Sequence, residues 1–222
     1  MKLKVIITGA TGMVGEGVLQ ECIANPQVEK ILLINRKPSR YSDAKIEEIL
    51  LPNINDLSSV TDKLNNFDAC YFCAGVSSVG MTEENYTKLT YNLTIDFAKS
   101  LAQLNPNMTF CYVSGTGTDS TEKGRQMWAR VKGKTENELM KLPFKAVYNF
   151  RPAFMKPSKG AKNVRGFYKV INAVYPFLRL FSKSYFLTLE EVGKAMINVS
   201  QNVYSKYILE VKDIQKISKY NR

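Results

Sequence analysis

The chain has 222 residues, of which 45% are hydrophobic and 23% are charged, a balance typical of one soluble globular domain with a buried core. Histidine is absent, which excludes catalysis through an imidazole and zinc sites with histidine ligands, and we expect no metal site. No apolar run reaches the length of a bilayer span, and Gly9 ends the first apolar run before a signal-peptide core forms. These features predict a cytoplasmic protein without a transmembrane segment.

The formal net charge is +11, and its distribution is uneven. No acidic residue lies between Glu138 and Glu190, a stretch rich in lysine and arginine. A solvated basic face is the commoner reason for such a bias; the alternatives are an acidic substrate, the phosphates of a cofactor or an anionic surface. We favour a small anionic ligand and expect no nucleic acid, because no helix-turn-helix, zinc-finger or RNA-binding signature accompanies the charge.

The cysteines are Cys22, Cys70, Cys73 and Cys111, too few and too scattered for a disulfide scaffold. Cys70 and Cys73 have CxxC spacing but lie in an apolar run that predicts a buried strand. Residues three apart on a strand point to opposite faces. Core packing is therefore favoured over a redox pair.

Strand-like and helix-like segments alternate along the chain. The predicted strands cover residues 4–8, 31–34, 46–51, 69–73, 109–114, 146–150 and 207–210. The predicted helices cover residues 13–24, 82–104 and 125–141, with Thr82 as an N-cap, and Thr188 with Glu191 forms a capping box that opens a late helix. This alternation predicts an α/β fold with a doubly wound parallel sheet.

Residues 163–182 carry apolar side chains spaced by threes and fours with basic residues between them, and Pro176 is expected to break or kink this segment. We predict that it packs on its own domain as part of a small, basic, helical cap formed by residues 151–187. Packing in a homodimer or on a membrane surface is the alternative. The whole chain, residues 1–222, is then one domain with a cap.

The first strand runs into a glycine-rich turn, TGATGMVG at residues 8–15. Gly9, Gly12 and Gly15 stand between a strand and a helix, the context in which one glycine makes the turn, one admits a pyrophosphate and one lets helix and strand pack closely. The helix amides then bind the anion. The turn therefore predicts a dinucleotide site of the Rossmann type.

About twenty residues beyond the glycines, such chains place the residue that meets the adenosine ribose. Asn35 and Arg36 stand there. This position offers no carboxylate for a free 2′-hydroxyl, whereas Arg36, with Lys37 or Arg40 nearby, suits a 2′-phosphate. NADP is therefore predicted over NAD, with a plain surface arginine as the alternative reading of Arg36.

Four further motifs follow the glycine turn in order. They are Cys73-Ala74-Gly75 after the fourth strand, YVSGT at residues 112–116 after the fifth, Val131-Lys132-Gly133 in the next helix, and Phe150-Arg151-Pro152 after the sixth strand. With them the chain resembles, over nearly its whole length, the atypical and extended short-chain dehydrogenase/reductase superfamily and its NAD(P)-binding epimerase/dehydratase-like group. Within that group it is most similar to the Tat-interacting-protein type of oxidoreductase.

The resemblance implies roles for individual residues. The cofactor would be held by Gly9, Thr11, Gly12, Met13, Val14 and Gly15 at the pyrophosphate, Arg36 at the adenosine phosphate, Asn53 and Ile54 at the adenine, Ala74 and Gly75 at a ribose, Lys132 at the nicotinamide ribose, and Pro152 nearby. Ser114 or Thr116 would polarise a substrate oxygen. Tyr86, Tyr91 and Asn92 would lie on a helix that borders the site.

Members of this superfamily use a tyrosine four residues before the lysine for proton transfer. Here Trp128 stands at that position, and an indole N–H donates a hydrogen bond but does not cycle a proton near neutral pH. Trp128 is then either part of the site or a core residue of its helix. We predict an NADP-dependent oxidoreductase or epimerase with an atypical proton relay, acting on a small substrate through Ser114, Thr116, Lys132 and Trp128; a non-catalytic NADP-binding regulatory or scaffold protein is the alternative.

Overall fold

A computed structural model describes residues 2–54, 56–156 and 186–220. The strands are β1 (Leu3–Thr8), β2 (Val28–Asn35), β3 (Ile46–Leu50), β4 (Ala69–Phe72), β5 (Thr109–Val113), β6 (Ala146–Arg151), β7 (Phe154–Lys156), β8 (Phe186–Thr188) and β9 (Ile208–Glu210). The helices are α1 (Met13–Ala24), α2 (Glu83–Thr87), α3 (Leu93–Leu104), α4 (Met127–Leu139), α5 (Leu189–Gln201) and α6 (Val211–Ile217). A short 3₁₀ helix covers Ser58–Lys63, and a π-helical turn, Lys88–Asn92, joins α2 to α3.

Seven strands form one parallel sheet in the order β3-β2-β1-β4-β5-β6-β9. The chain builds outward from β1 to β3 and then continues from β4 on the other side of β1. This confirms the predicted doubly wound α/β fold. The order reverses between β1 and β4, and in such sheets ligands bind at that reversal, outside the carboxyl ends of the strands.

Two apolar clusters cover the two faces of the sheet. One joins Val5 and Ile7 of β1 to α1, α5 and α6, and the other joins Ile6 of β1 to α3 and α4. Because both faces are covered, the central strands are continuously apolar rather than alternating. Cys70 lies in the second cluster and Cys73 packs against the first, as the predicted opposite faces require.

Two predicted helix starts are confirmed by their hydrogen bonds. The Thr82 hydroxyl accepts from the backbone N–H of Asn85 at 3.3 Å, and at α5 the Thr188 hydroxyl accepts from the N–H of Glu191 at 3.0 Å while the Glu191 carboxylate accepts from the N–H of Thr188 at 2.7 Å. The predicted helix 82–104 is present, but the π turn interrupts it. Apolar spacing does not reveal one inserted residue.

The described ends of the region predicted as a helical cap are strands and not helices. β7 and β8 pair as a separate two-stranded sheet, with the rings of Phe154 and Phe186 stacked at 5.8 Å between centroids. Arg151 belongs to β6 and is buried, so it is not part of a basic surface. The amphipathic segment 163–182 lies outside the described residues. Across the described ranges, no helix combines the length and apolarity needed to cross a membrane.

Candidate functional site

The carboxyl edge of the sheet gathers most of the residues that the sequence singled out. Because the strands are parallel, their carboxyl ends open on the same edge. The glycine turn follows β1, Asn35 and Arg36 end β2, Asn53 and Ile54 follow β3, Ala74 and Gly75 follow β4, Ser114 and Thr116 follow β5, and Pro152 follows β6. Lys132 and Trp128 come to this edge on α4.

The glycine turn is packed too closely for side chains at two positions. Gly9 has φ +71°, and a Cβ there would lie 2.7 Å from the backbone nitrogen of Ala74. A Cβ at Gly15 would lie 2.3 Å from the carbonyl oxygen of Gly9, against which the N–H of Gly12 closes the turn at 2.9 Å. Gly9 therefore lets the turn pack closely against the chain at the end of β4, and Gly15 lets α1 pack closely against the turn.

The first turn of α1 is open to an anion. Gly12 is the N-cap and has no side chain to bond the first amides; Thr11 and Gly12 are exposed, and Met13 and Val14 are half-buried. No heavy atom lies within 4 Å of a Cβ built on Gly75, across the cleft. The first amides of α1 are uncapped, lie at the positive end of the helix and are flanked by glycines. This arrangement fits the pyrophosphate of a dinucleotide.

The adenosine end holds one residue that the sequence analysis missed. Arg36 and Asn53 are exposed there, and Ile54 is buried. The Glu48 carboxylate of β3 accepts hydrogen bonds at 2.8 Å from both the Asn35 side-chain amide and the N–H of Ser39. The neighbouring strand therefore places a carboxylate beside Asn35, although neither Asn35 nor Arg36 is acidic. Spacing from the glycines carries no signal for it.

The two candidate hydroxyls, Ser114 and Thr116, differ in orientation. Thr116 is exposed, and its hydroxyl donates to the carbonyl of Arg151 at 3.0 Å. Ser114 is buried, and its hydroxyl donates to the carboxylate of Glu136. A hydroxyl has one proton to donate. Ser114 thus faces the interior, whereas Thr116 lies on the exposed side of the loop.

A buried ion pair lies behind this loop. Glu136 on α4 is fully buried and accepts from Arg151 through both carboxylate oxygens, with Nε to Oε1 at 3.0 Å. Arg151 also donates to Ser120 at 2.6 Å and to Glu210 at 3.3 Å. The sequence analysis did not single out Glu136, although its place four residues after Lys132 puts both on one face of α4.

Lys132 joins α4 to the end of β5. Its ammonium donates to the backbone carbonyl of Ser114. Burial lowers the pKa of Lys132 to about 8, and the nearby Glu136 carboxylate acts in the opposite direction. The ammonium form prevails at neutral pH and has two further N–H donors to offer a ligand.

Trp128 lies one helical turn before Lys132. The residue is half-buried, and a Cβ built on Gly117, a residue with φ +88°, would lie 3.5 Å from the indole ring. The ring is therefore beside the loop that carries Thr116, and not wholly within the core. Its N–H is a donor only.

Comparison with known proteins shows the family of the chain. The family described as NAD dependent epimerase/dehydratase matches residues 5–123, a range that includes the glycine turn and the loop after β5. The chain belongs to the NAD dependent epimerase/dehydratase family. Membership confirms the resemblance to the epimerase/dehydratase-like group of short-chain dehydrogenases/reductases.

The similar proteins in this family include two fungal ones. "Leucinostatins biosynthesis cluster protein T" of Purpureocillium lilacinum is 31% identical over 144 residues, which are 63% of this chain and 52% of that protein. "Protein fmp52, mitochondrial" of Emericella nidulans is 26% identical over 209 residues, 87% of this chain and 85% of that protein. The match thus spans about half of the first relative and most of the second.

Solved structures share the fold. MoeE5 in complex with UDP-glucuronic acid and NAD superposes with a TM-score of 0.69 at 15% identity, covering 94% of this chain and 76% of that one. The ADP-L-glycero-D-manno-heptose-6-epimerase of Helicobacter pylori gives 0.67 at 18% identity, covering 98% and 82%. At these identities the likeness concerns the fold alone.

The relatives also correct the predicted location. The fmp52 proteins of Emericella nidulans, Candida glabrata and Meyerozyma guilliermondii are named mitochondrial, which overturns the prediction of a cytoplasmic protein. That prediction used the lack of a bilayer-length apolar run, a property that does not separate one soluble compartment from another.

Proposed function

We propose that this chain binds NADP across the carboxyl edge of its sheet and acts as an oxidoreductase or epimerase on a small, anionic substrate. The observation that carries the proposal is the first turn of α1, whose amides have no side-chain cap because Gly12 is the N-cap, together with the open space at Gly75. Exposed Arg36 at the end of β2 supports NADP over NAD.

Bound NADP would supply hydride transfer at its nicotinamide. The chain's residues then bind and orient. The Lys132 ammonium is held on the carbonyl of Ser114 and keeps N–H donors for a ribose hydroxyl. The Thr116 hydroxyl is the exposed donor for a substrate oxygen. Trp128 places an aromatic ring and an N–H donor beside Thr116. Because an indole does not exchange its proton near neutral pH, the proton for the substrate comes from water or another residue.

The first test uses the single tryptophan, Trp128. Titration with NADPH and with NADH should quench its fluorescence saturably, with energy transfer to the reduced nicotinamide and tighter binding of NADPH. Calorimetry checks the same affinities independently. No change in fluorescence and no heat of binding with either nucleotide would remove the proposal.

Oxidoreductase activity is tested by NADPH consumption at 340 nm with aldehydes, ketones and quinones, including carboxylated and phosphorylated ones. An epimerase restores its cofactor in each turnover, so epimerase activity is tested by inversion of a chiral substrate followed by NMR. Anionic substrates should turn over best. Trp128→Tyr places a phenol four residues before Lys132, where it can exchange a proton, and should raise turnover at least tenfold with NADPH affinity nearly unchanged.

Trp128 also favours a second candidate function, a non-catalytic NADP-binding regulatory protein. In that case neither the wild type nor Trp128→Tyr consumes NADPH with any substrate or epimerises one, while NADPH binding still occurs and alters affinity for a protein partner. Turnover by the wild type excludes it.

A further inference from the structure

The adenosine end of the site carries two charges of opposite sign, Arg36 and Glu48. We propose that Glu48 is a specificity-determining residue: its carboxylate, held beside the 2′-position by Asn35 and by the backbone at Ser39, weakens binding of a 2′-phosphate and so limits the preference for NADP that Arg36 creates. This inference rests on the proposed function, since it concerns the same cofactor site.

Two hydrogen bonds place the Glu48 carboxylate next to Asn35. Asn35 is the last residue of β2 and stands where related chains carry their ribose-binding acid. Its side-chain N–H donates to Glu48 at 2.8 Å, and the N–H of Ser39 donates to the same carboxylate oxygen at 2.8 Å. The carboxylate therefore lies one hydrogen bond behind the ribose-binding position.

Glu48 also fixes the Asn35 amide. With its N–H₂ turned to the carboxylate, the buried side-chain oxygen of Asn35 has no partner among the described residues. The reverse orientation would set two acceptor oxygens against each other. Asn35 therefore holds the carboxylate in place from inside the protein, and what acts at the 2′-position is the negative charge of Glu48, which opposes a phosphate.

Among the residues that the structure describes, Glu48 is held by hydrogen bonds and by no cation. Within the described ranges its carboxylate forms no ion pair, whereas its neighbour Glu47 pairs with Lys30 at 2.9 Å on the opposite face of β3. A formal charge without a counter-ion acts on an approaching dianion through space. A neutral 2′-hydroxyl is insensitive to it.

Glu48→Gln removes the charge and retains an oxygen that accepts from Asn35 and Ser39. Calorimetry with NADPH and NADH should show NADPH binding about five- to tenfold tighter, up to about 1.4 kcal/mol, and NADH binding changed less than twofold. The gain should shrink at high ionic strength, because it is coulombic. Glu47→Gln, with the same charge change on the other face, should leave both affinities unchanged.

The outcomes separate the inference from the proposed function. If the wild type binds neither nucleotide, the proposed function fails and takes the inference with it. If the wild type binds NADPH but Glu48→Gln leaves the ratio of the two affinities unchanged, the inference alone is wrong. Equal weakening of NADPH and NADH binding, together with a lower Tm, would make Glu48 a purely structural residue. If Glu48→Gln does not fold, the same two affinities are measured for Glu48→Asn, which is a second neutral acceptor.

Discussion

At the scale of single residues, Lys132 is the lysine that the resemblance leads us to expect, whereas Trp128 stands where the resemblance leads us to expect a tyrosine. Lys132 is anchored on the carbonyl of Ser114, and its partial loss of hydration makes its charge sensitive to pH. Trp128 is a donor without a removable proton near neutral pH. In our proposal Lys132 is therefore the titratable side chain of α4 that binds the cofactor.

We expect the affinity for NADPH to fall as pH rises through about 8, the pKa to which burial lowers Lys132. The ammonium form, present below that pH, donates to the ligand, and the neutral amine formed above it has lost the charge and one donor. Lys132→Arg keeps its charge throughout, so its affinity should stay level between neutral pH and the alkaline end of the titration. Calorimetry across this pH range measures the NADPH affinity of the wild type and of Lys132→Arg.

Lys134→Met is the matched control, because Lys134 is exposed two residues further along α4 and lies over the ring of Tyr91 at 4.6 Å. It should keep the pH dependence of the wild type. A wild-type affinity that does not vary through this range, or the same fall in Lys132→Arg, would mean that Lys132 does not bind the cofactor through its charge.

At the scale of elements, β1, its turn and α1 form the unit that holds the pyrophosphate in our proposal. The glycines at the carboxyl edge of the sheet have two separable roles. Gly15 is needed for packing, since its Cβ would meet the Gly9 carbonyl oxygen, whereas a Cβ on Gly75 would meet nothing within 4 Å. Substitution should therefore affect stability at one position and binding at the other.

Gly15→Ala should lower the free energy of unfolding by about 2 kcal/mol, because backbone has to move to admit the methyl group. Gly75→Ala should change stability by less than about 0.5 kcal/mol yet weaken NADPH binding severalfold, since its methyl group enters the space left for the cofactor ribose. Urea unfolding and calorimetry measure the two quantities. Equal loss of stability in both variants would contradict this division.

The pair Glu136 and Arg151 links α4 to β6 and, through Glu210, to the start of α6. Removing one partner of a buried pair leaves the other uncompensated and typically costs about 3–5 kcal/mol. Glu136→Gln should therefore lower the free energy of unfolding by about 3 kcal/mol. The double variant Glu136→Gln/Arg151→Met should recover part of that loss.

Glu138→Gln is the control on the same helix. Glu138 pairs with Lys141, whose side chain is 70% exposed, and exposed pairs contribute little. Its loss should change the free energy of unfolding by less than about 0.5 kcal/mol. A Glu136→Gln variant as stable as this control would show that hydrogen bonds alone, without the charge, hold α4 on β6.

Some features of these elements could be predicted from the sequence, and others could not. The glycine turn, the Thr82 cap and the capping box at Thr188 were predictable because each is formed by residues within one short segment. Asn35 and Glu48 are 13 residues apart, and Glu136 and Arg151 are 15 apart; both pairs form between neighbouring elements. Their contacts depend on strand register and helix docking, which local patterns do not specify.

At the scale of the whole molecule, the two edges of the sheet differ in chemistry. The amino edge has a cavity of about 890 Å³ with amide side chains such as Asn25, Gln27, Asn107 and Asn198 in its lining, together with Lys145 and Lys194. The carboxyl edge has the uncapped start of α1, Arg36 and the loop of Thr116. The amino edge thus offers amides and two lysines, whereas the carboxyl edge offers the glycines and the uncapped helix amides that a dinucleotide needs.

Hydrogen exchange distinguishes the edges in the intact protein. On adding NADPH, amide protection should rise in residues 9–17, 35–37, 74–76 and 114–118, because a dinucleotide that spans the carboxyl edge bonds or shields these backbone groups. The amides around Asn25 and Asn107 should exchange at unchanged rates. Protection confined to the amino edge would place the nucleotide in the cavity there. Protection at both edges would instead indicate global stabilisation by ligand binding, and is recognised because it also slows exchange throughout the core strands.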